Sequence, residues 1–174
     1  MGENTMQKLR YRPASESDLP WIVSIYNDTI PGRMVTADLE PITVESRVAW
    51  MNKHSEDMRP LWIVSNEKTE PIGWVSFQDF YGRPAYSITA EISIYIDKNQ
   101  QGKGYGKQIL LDCLSNCPGL GIHNLVGFIF AHNEPSLKLF HSCGFTDWGL
   151  LPGIALMDGL ERSLIIVGKK VIQD

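Results

Sequence analysis

A glycine-rich segment that directly follows a strand-like run is the strongest constraint on how this chain folds. The run is Ile92-Ser93-Ile94-Tyr95-Ile96, and the segment is Gln101-Gly102-Lys103-Gly104-Tyr105-Gly106-Lys107. Three glycines in five positions leave backbone N–H groups uncovered at the start of a predicted helix, where the helix dipole attracts phosphate. An ordinary glycine-rich turn is the alternative. The position between a strand and a helix, with lysines on both sides of Tyr105, favours a phosphate site.

The overall charge gives the chain no general attraction to polyanions. Its 174 residues carry a net charge of −4, so neither nucleic acid nor a membrane surface is an expected partner. The length and 43% hydrophobic content suit one domain over residues 1–174. No apolar stretch is long enough to cross a bilayer, and Met1-Gly2-Glu3-Asn4-Thr5-Met6 lacks the order of a secretory signal. We therefore expect a cytoplasmic protein.

Apolar periodicity and turn residues predict an α/β domain. The predicted order is one strand, two helices, three strands, a helix, a strand, a helix and two strands. A polar turn at 66–70 suits an antiparallel hairpin between strands at 61–65 and 72–77. Asp158-Gly159 is a turn signal between two late strands, predicted around 146–151 and 163–169. Since no repeat or linker interrupts this order, we expect a single mixed sheet.

The second predicted helix opens at Thr43. Its expected apolar side carries Val44, Val48 and Met51, and Arg47 is expected elsewhere on the helix.

The three cysteines predict neither a disulfide framework nor a metal site. Their number is odd, and Cys113 and Cys117 are four residues apart on a predicted helix, with Cys143 distant. A zinc site would need two more ligands at matching spacing, which neither His123 nor His132 provides. We expect the cysteines to be small core residues.

Three linked motifs make the chain similar to a known family. Gln101-x-x-Gly104-x-Gly106 follows a strand, Asn133-x-Pro135-Ser136 opens a helix, and that helix ends at Cys143-Gly144-Phe145. In this order the motifs resemble the GCN5-related N-acetyltransferase (GNAT) family. Phe80-Tyr81-Gly82-Arg83-Pro84-Ala85 leading to Ala90-Glu91-Ile92-Ser93-Ile94-Tyr95-Ile96 resembles its branch of phosphinothricin and methionine sulfoximine acetyltransferases.

The resemblance implies the acyl-CoA N-acyltransferase fold and acetyl-CoA as cosubstrate, with no metal. This fold is a mixed, mostly antiparallel sheet with a splayed central strand pair, flanked by helices. The pyrophosphate would lie on residues 102–107 and the pantetheine arm along the free edge of the splayed strand, with a backbone N–H near Ile94 facing the thioester oxygen. The implied cofactor-binding residues are Ile94, Tyr95, Ile96, Gly102, Lys103, Gly104, Tyr105, Gly106, Lys107 and Asn133. For Lys103 and Lys107 a solvated surface position is the alternative, and for Asn133 a turn or helix-capping role.

Glu91 is the candidate catalytic base. An amine must lose a proton to attack a thioester, and a carboxylate at the start of an otherwise apolar strand is costly without a purpose. The branch has a glutamate at this place. Proton transfer through an ordered water is as compatible with this position as direct contact. An edge position with the carboxylate in water is the alternative.

Two regions depart from the family pattern. Phe140 stands where many members have a tyrosine that protonates the departing thiolate, so this acid is missing. The segment 152–159 lacks a lysine and a tryptophan common in members that act on phosphinothricin. Arg83 is a candidate for binding a carboxylate, and Arg33 lies in another candidate lid loop. The candidate substrate-binding residues are Tyr81, Gly82, Arg83, Glu91, Ile92 and Ser93.

These observations predict an N-acetyltransferase that moves the acetyl group of acetyl-CoA to a primary amine of a small molecule. The expected acceptor is an amino acid or an amino-acid analogue, attacked directly in a ternary complex. Acetylation of a protein or peptide amine, and a non-catalytic acyl-CoA-binding regulator, remain alternatives. A dinucleotide-binding domain would need repeated βαβ units that are not evident. The branch also implies a homodimer.

Overall fold

A computed structural model describes residues 7–172 of the chain. The segment Met1–Met6, on which the expected cytoplasmic location partly rests, lies outside the described residues. A single domain over residues 1–174 stays a prediction, because both ends of that range are also outside them. Within residues 7–172, no helix combines the length and apolarity needed to cross a membrane.

The predicted order of strands and helices is confirmed over the described residues. The elements are β1 (Arg10–Pro13), α1 (Leu19–Thr29), α2 (Glu45–Met51), β2 (Leu61–Ser65), β3 (Pro71–Asp79), β4 (Thr89–Ile96), α3 (Tyr105–Asn116), β5 (Asn124–Phe130), α4 (Glu134–Ser142), β6 (Thr146–Met157) and β7 (Leu160–Lys170).

The strands form one mixed sheet in the order β1-β2-β3-β4-β5-β7-β6. All neighbours are antiparallel except β4 and β5, which are parallel. The predicted hairpin between β2 and β3 is confirmed. So is the tight turn between β6 and β7, where Asp158 and Gly159 take φ values of 50° and 80°. The predicted mixed, mostly antiparallel sheet is therefore confirmed.

The two last strands are longer than predicted. Their ladder runs from the pair Thr146↔Gly168 to the pair Met157↔Leu160, with irregularities between Asp147 and Gly149 and between Leu151 and Ala155. Proline and glycine at 152 and 153 normally end a strand. Here the irregularity leaves these residues outside the ladder, so the pairing resumes beyond them.

The central strand pair splays apart, as predicted. β4 and β5 are paired only at Thr89↔Asn124, Ala90↔Leu125 and Glu91↔Val126. Beyond this last pair, β4 stays bonded to β3 and β5 stays bonded to β7, but β4 and β5 no longer meet. The edge of β4 that faces β5 is thus open from Ile92 onwards.

The two faces of the sheet hold two separate apolar clusters. The larger cluster includes α3 and takes Ala90 and Ile92 from β4, with Ile94 and Ile96 at its margin. The smaller one joins α1 to β2 and β3, with Tyr95 at its margin. The cysteines Cys113, Cys117 and Cys143 are free and buried in the larger cluster, which confirms them as small core residues.

The predicted apolar side of the second helix is wrong in part. Val48 is exposed, whereas Arg47 and Trp50 are half-buried and turn towards the sheet. The guanidinium of Arg47 lies 4.7 Å from the ring centroid of Tyr26 and 5.4 Å from that of Trp50. Aromatic rings stabilise a cation placed over their faces. The side of this helix that covers the sheet therefore carries Arg47, whereas the apolar periodicity predicts Val48 there.

Candidate active site

The gap between β4 and β5 is a cleft that ends in the middle of the sheet. Its open backbone edge belongs to β4, and a closed sheet would have no such edge to offer a ligand. The cleft is lined by Met34, Val35, Ile92, Ser93, Ile94, Tyr95, Gly127, Phe128, Ile129, Asn133, Ser136 and Phe140. Of the residues predicted to bind cofactor or substrate, Ile92, Ser93, Ile94, Tyr95 and Asn133 therefore come together here.

The glycine-rich segment forms the approach to α3, as the sequence predicts. Gly102 and Gly104 have φ values of 75° and 81°, which only glycine adopts without strain, and Gly104 is the N-cap of the helix. A Cβ at either position would meet nothing within 4 Å, so the backbone there is bare. Gly106 has a different role, because a Cβ there would lie 3.3 Å from the Leu139 side chain.

The side chains of this segment are divided between surface and core. Lys107 is exposed, and Lys103 is exposed and donates a 2.8 Å hydrogen bond to Gln100. Tyr105 is buried and belongs to the larger apolar cluster. Gln101 donates to the carbonyl of Ile96, which ties the segment to the end of β4. Anion binding here would thus depend chiefly on backbone N–H groups.

Asn133 is the N-cap of α4, so the capping role is confirmed. Its side-chain oxygen accepts a hydrogen bond from the Ser136 amide, and its Nδ2 donates to the Met34 carbonyl at 3.0 Å. His132 donates to the neighbouring carbonyl of Arg33 at 2.8 Å. Together these contacts hold the loop after α1 over the cleft. Contact between Asn133 and a pantetheine arm stays a prediction.

Glu91 lies at the point where the strands part. Burial raises the pKa of its carboxyl to about 7, from an ordinary value of 4.5. Burial is also the only cause of the shift, since no described residue pairs with this carboxylate. A carboxylate with a pKa near neutrality is suited to accept a proton from an amine. The base role of Glu91 stays a prediction that this environment favours.

The face of β4 that carries Glu91 forms an ordered set of cross-strand pairs with β3. Gln78 lies opposite Glu91, Ser76 opposite Ser93, and Trp74 opposite Tyr95. The rings of Trp74 and Tyr95 stack with their centroids 4.4 Å apart. Neighbouring strands therefore present a Gln–Glu pair, a serine pair and an aromatic pair in succession, on the side of the sheet that α1 and α2 cover.

A cavity of about 160 Å³ lies under α1 and α2, against these pairs. It is lined by Ile22, Val23, Tyr26, Ile42, Arg47, Trp50, Trp74, Ser76, Gln78, Ser93 and Tyr95. Ser93 and Tyr95 line both this cavity and the cleft, so the two spaces meet at β4. We refer to it as the aromatic cavity. Sequence reasoning missed Tyr26, Arg47 and Trp50; the spacing of Arg47 and Trp50 by three residues on one helix was the available signal.

The remaining candidates for substrate binding lie elsewhere. Tyr81, Gly82 and Arg83 are exposed on the loop between β3 and β4 and line neither the cleft nor the aromatic cavity. Their role stays a prediction. Arg33 pairs with Asp158 at 2.9 Å and donates to the carbonyls of Ile30 and Leu39, so it fixes the loop after α1 to the β6–β7 turn.

Phe140 is buried at the inner end of the cleft. Its ring packs edge-to-face on Phe145, and a Cβ at Gly127 would lie 2.9 Å from its Cε1 atom and 3.3 Å from its Cζ atom. His141 is bonded to Asp147 at 2.7 Å on the surface. Among residues 7–172, no group of three His, Cys, Asp or Glu side chains has the arrangement of a metal site.

Comparison with known proteins agrees with this geometry. The sequence matches the family described as acetyltransferase (GNAT) domain over residues 8–146. It is 52% identical over 160 residues to the Bacillus subtilis (strain 168) protein named "Putative phosphinothricin acetyltransferase YwnH", covering 92% of this chain and 98% of that one. It is 29% identical over 143 residues to the L-methionine sulfoximine/L-methionine sulfone acetyltransferase of Pseudomonas aeruginosa, covering 82% and 83% of the two chains.

A solved structure described as "Crystal structure of a putative phosphinothricin N-acetyltransferase" has the same fold. It superposes with a TM-score of 0.90 at 51% identity, covering 95% of this chain and all of that chain. The splayed sheet and its cleft define an acyl-CoA N-acyltransferase. More particularly, the chain belongs to the GNAT family, and it is an acetyl-CoA-dependent N-acetyltransferase. The family and the enzyme class predicted from the sequence are confirmed.

Proposed function

We propose that the protein transfers the acetyl group of acetyl-CoA to the primary amine of a small amino acid or amino-acid analogue. The relatives named for phosphinothricin and for methionine sulfoximine support this acceptor class. The observation that carries the proposal is the parting of β4 and β5 directly after Glu91, which leaves an open strand edge beside a base.

The donor fits the residues that the fold brings together. Its pyrophosphate would meet the backbone of Gly102 to Lys107, which is bare at Gly102 and Gly104, and its pantetheine amides would pair with the open edge at Ile94, Tyr95 and Ile96. Asn133 keeps one Nδ2 hydrogen for the arm, since the other is directed to Met34. Bound in this way, acetyl-CoA would present its thioester near Ile94, next to Ser93.

Glu91 acts as the base in the proposed reaction. A neutral amine attacks the thioester carbon, an N–C bond forms, the C–S bond breaks, and coenzyme A leaves as the thiolate. Glu91 accepts the proton of the amine, directly or through one water. Because Phe140 has no proton to donate, the thiolate takes its proton from water. The sum is an amide and free coenzyme A.

An acceptor panel tests the proposal. Release of coenzyme A from acetyl-CoA is followed with amino acids, methionine sulfoximine, phosphinothricin and a lysine-containing peptide. Turnover with an amino acid or analogue is the expected result. Turnover with the peptide alone would favour a protein-modifying enzyme. Binding of acetyl-CoA with no acceptor used would favour a regulator, and either result would overturn the proposed acceptor class.

We further propose a homodimer that forms through the edge strand β6. Several large apolar side chains on β6 and at the start of β7 are exposed: Trp148, Leu150, Leu151, Ile154, Leu156 and Leu160. A long apolar edge strand is a template for pairing with another chain, so a second copy would cover it. The expected cytoplasmic location stays a prediction.

A further inference from the structure

The guanidinium of Arg47 lies over the rings of Tyr26 and Trp50 and forms a long ion pair with Asp38, but its N–H groups donate to no described residue. No hydrogen bond joins its guanidinium to another described residue, and the closest carboxylate, that of Asp38, lies 3.6 Å away. Asp38 in turn accepts a hydrogen bond from the Tyr26 hydroxyl. A half-buried guanidinium with free N–H groups is suited to bind a carboxylate, because its donors match both oxygens.

Trp74, a lining residue of the aromatic cavity, has a second donor without a partner. Trp74 lines the cavity and is 3% exposed, and its indole Nε1 has no hydrogen-bond partner among the described residues. A buried donor without an acceptor costs about 1–3 kcal/mol, so such groups are uncommon unless a ligand or water completes them. Trp74 and Arg47 therefore both lack an acceptor at the same cavity.

The cavity has the size and position for part of an acceptor. Its volume of about 160 Å³ is close to that of an engineered cavity, roughly 150 Å³, that holds benzene. The Gln78–Glu91 pair lies two pairs beyond Ser76–Ser93, a distance of roughly 7 Å along the strands. A small molecule in the cavity can thus direct an amine past Ser93 towards Glu91 and the cleft.

We infer that the aromatic cavity binds the carboxylate-bearing part of the amino-acid acceptor, with Arg47 as the residue that selects for the carboxylate. The indole N–H of Trp74 donates to the same group, and the rings of Tyr26 and Trp50 hold the guanidinium in place. The inference rests on the proposed function. It assigns to Arg47 the role that the sequence suggested for Arg83, which is exposed and outside the cavity.

The test compares an acid with its amide. L-Methionine sulfoximine and its carboxamide have the same amine, and only the former carries a carboxylate. We expect Arg47→Gln to raise KM for the acid at least tenfold and KM for the amide less than twofold, with KM for acetyl-CoA unchanged. Arg47→Lys keeps the charge but not the planar set of guanidinium donors. Its KM for the acid should therefore lie between those of the wild-type protein and Arg47→Gln. Trp74→Phe should raise KM for the acid severalfold.

Controls separate this role from a structural one. Arg10→Gln removes an exposed arginine on β1 and should leave both KM values unchanged. Thermal unfolding of Arg47→Gln and Arg47→Lys verifies that both variants fold. An equal increase in KM for the acid and for the amide in Arg47→Gln would overturn the inference. So would a loss of acid preference in Arg83→Gln with none in Arg47→Gln.

Failure of the proposed function is distinguishable from failure of the inference. If the wild-type protein acetylates no small amine, binding of L-methionine sulfoximine to the protein loaded with coenzyme A is measured by calorimetry. Binding that Arg47→Gln weakens at least tenfold would support a carboxylate site without turnover. Absence of binding to the wild-type protein, or equal binding to the variant, would overturn the inference.

Discussion

Glu91 and Val126 form the last pair of the short parallel ladder between β4 and β5. The carboxylate that best fits a base is therefore placed at the residue where the two strands begin to diverge. Burial raises the pKa of its carboxyl, and the edge of β4 is open from the next residue, Ile92, onwards.

Replacement of Glu91 by glutamine should remove the base and keep the shape of the site. We expect kcat to fall by about 10²- to 10⁴-fold with KM for acetyl-CoA unchanged. In the wild-type protein, kcat/KM should rise with pH through about 7, where Glu91 loses its proton. Glu16→Gln, an exposed carboxylate before α1, is the matched control. Full turnover of Glu91→Gln across this pH range would exclude the base role.

The same substitution should stabilise the protein at alkaline pH. The folded pKa of Glu91 is about 7 and its ordinary value is 4.5, so between these values the folded chain keeps a proton that the unfolded chain has lost. Stability from this group is full below pH 4.5 and is lost as the pH rises through 7. Glu91→Gln avoids this loss and should gain about 1 to 3 kcal/mol at pH 8, and much less at pH 4.5. Chemical denaturation at the two pH values measures the difference, and an equal gain at both would contradict the prediction.

Replacement of Gly104 by alanine should weaken donor binding. At a φ of 81°, a Cβ strains the backbone by about 1–2 kcal/mol, and the N–H groups before α3 move with it. We expect KM for acetyl-CoA to rise about tenfold, with the acceptor KM unchanged. Gly119→Ala is the control, because this glycine has no positive φ and a Cβ there meets nothing within 4 Å. Equal KM values for acetyl-CoA in the two variants would argue against phosphate binding by the backbone at Gly104.

A tyrosine at position 140 should not restore a general acid. The Cε1 and Cζ atoms of Phe140 lie against Gly127, so an added hydroxyl has little room. We expect Phe140→Tyr to lower the free energy of unfolding by about 1–3 kcal/mol, with no gain in kcat. Denaturant unfolding and steady-state kinetics measure the two effects. A kcat above that of the wild-type protein would show that the hydroxyl reaches the leaving group.

A charge on β6 should separate the proposed dimer. Leu156 is 65% exposed, so Leu156→Glu costs little in the isolated chain but is unfavourable in an apolar interface. We expect a monomer by light scattering after size exclusion, where the wild-type protein is a dimer. Val48→Glu places the same charge on the exposed side of α2 and should leave the dimer intact. A wild-type monomer, or a dimer in both variants, would contradict assembly through β6.

Much of the fold could be predicted because its signals are local. The hairpin after β2, the turn at Asp158 and the helix that opens at Tyr105 each depend on a few neighbouring residues. The second helix was mispredicted on one side. Its Val48 fits an apolar period, but the residue that turns inward is Arg47, because its guanidinium packs over the rings of Tyr26 on α1 and Trp50 on α2.

The candidate site also has one part with local sequence signals and one part that forms only in the folded chain. The sequence by itself determined the elements that we propose for the donor, because the glycine segment, the strand before it and Asn133 each carry their signal within a few residues of chain. Only the tertiary structure decided the cavity that we propose for the acceptor. The aromatic cavity brings together Tyr26, Arg47, Trp74 and Ser93, which lie far apart in the sequence and meet only when two helices cover one face of the sheet. The pKa of Glu91 has the same dependence, since burial is a property of the folded chain and not of the residues beside it.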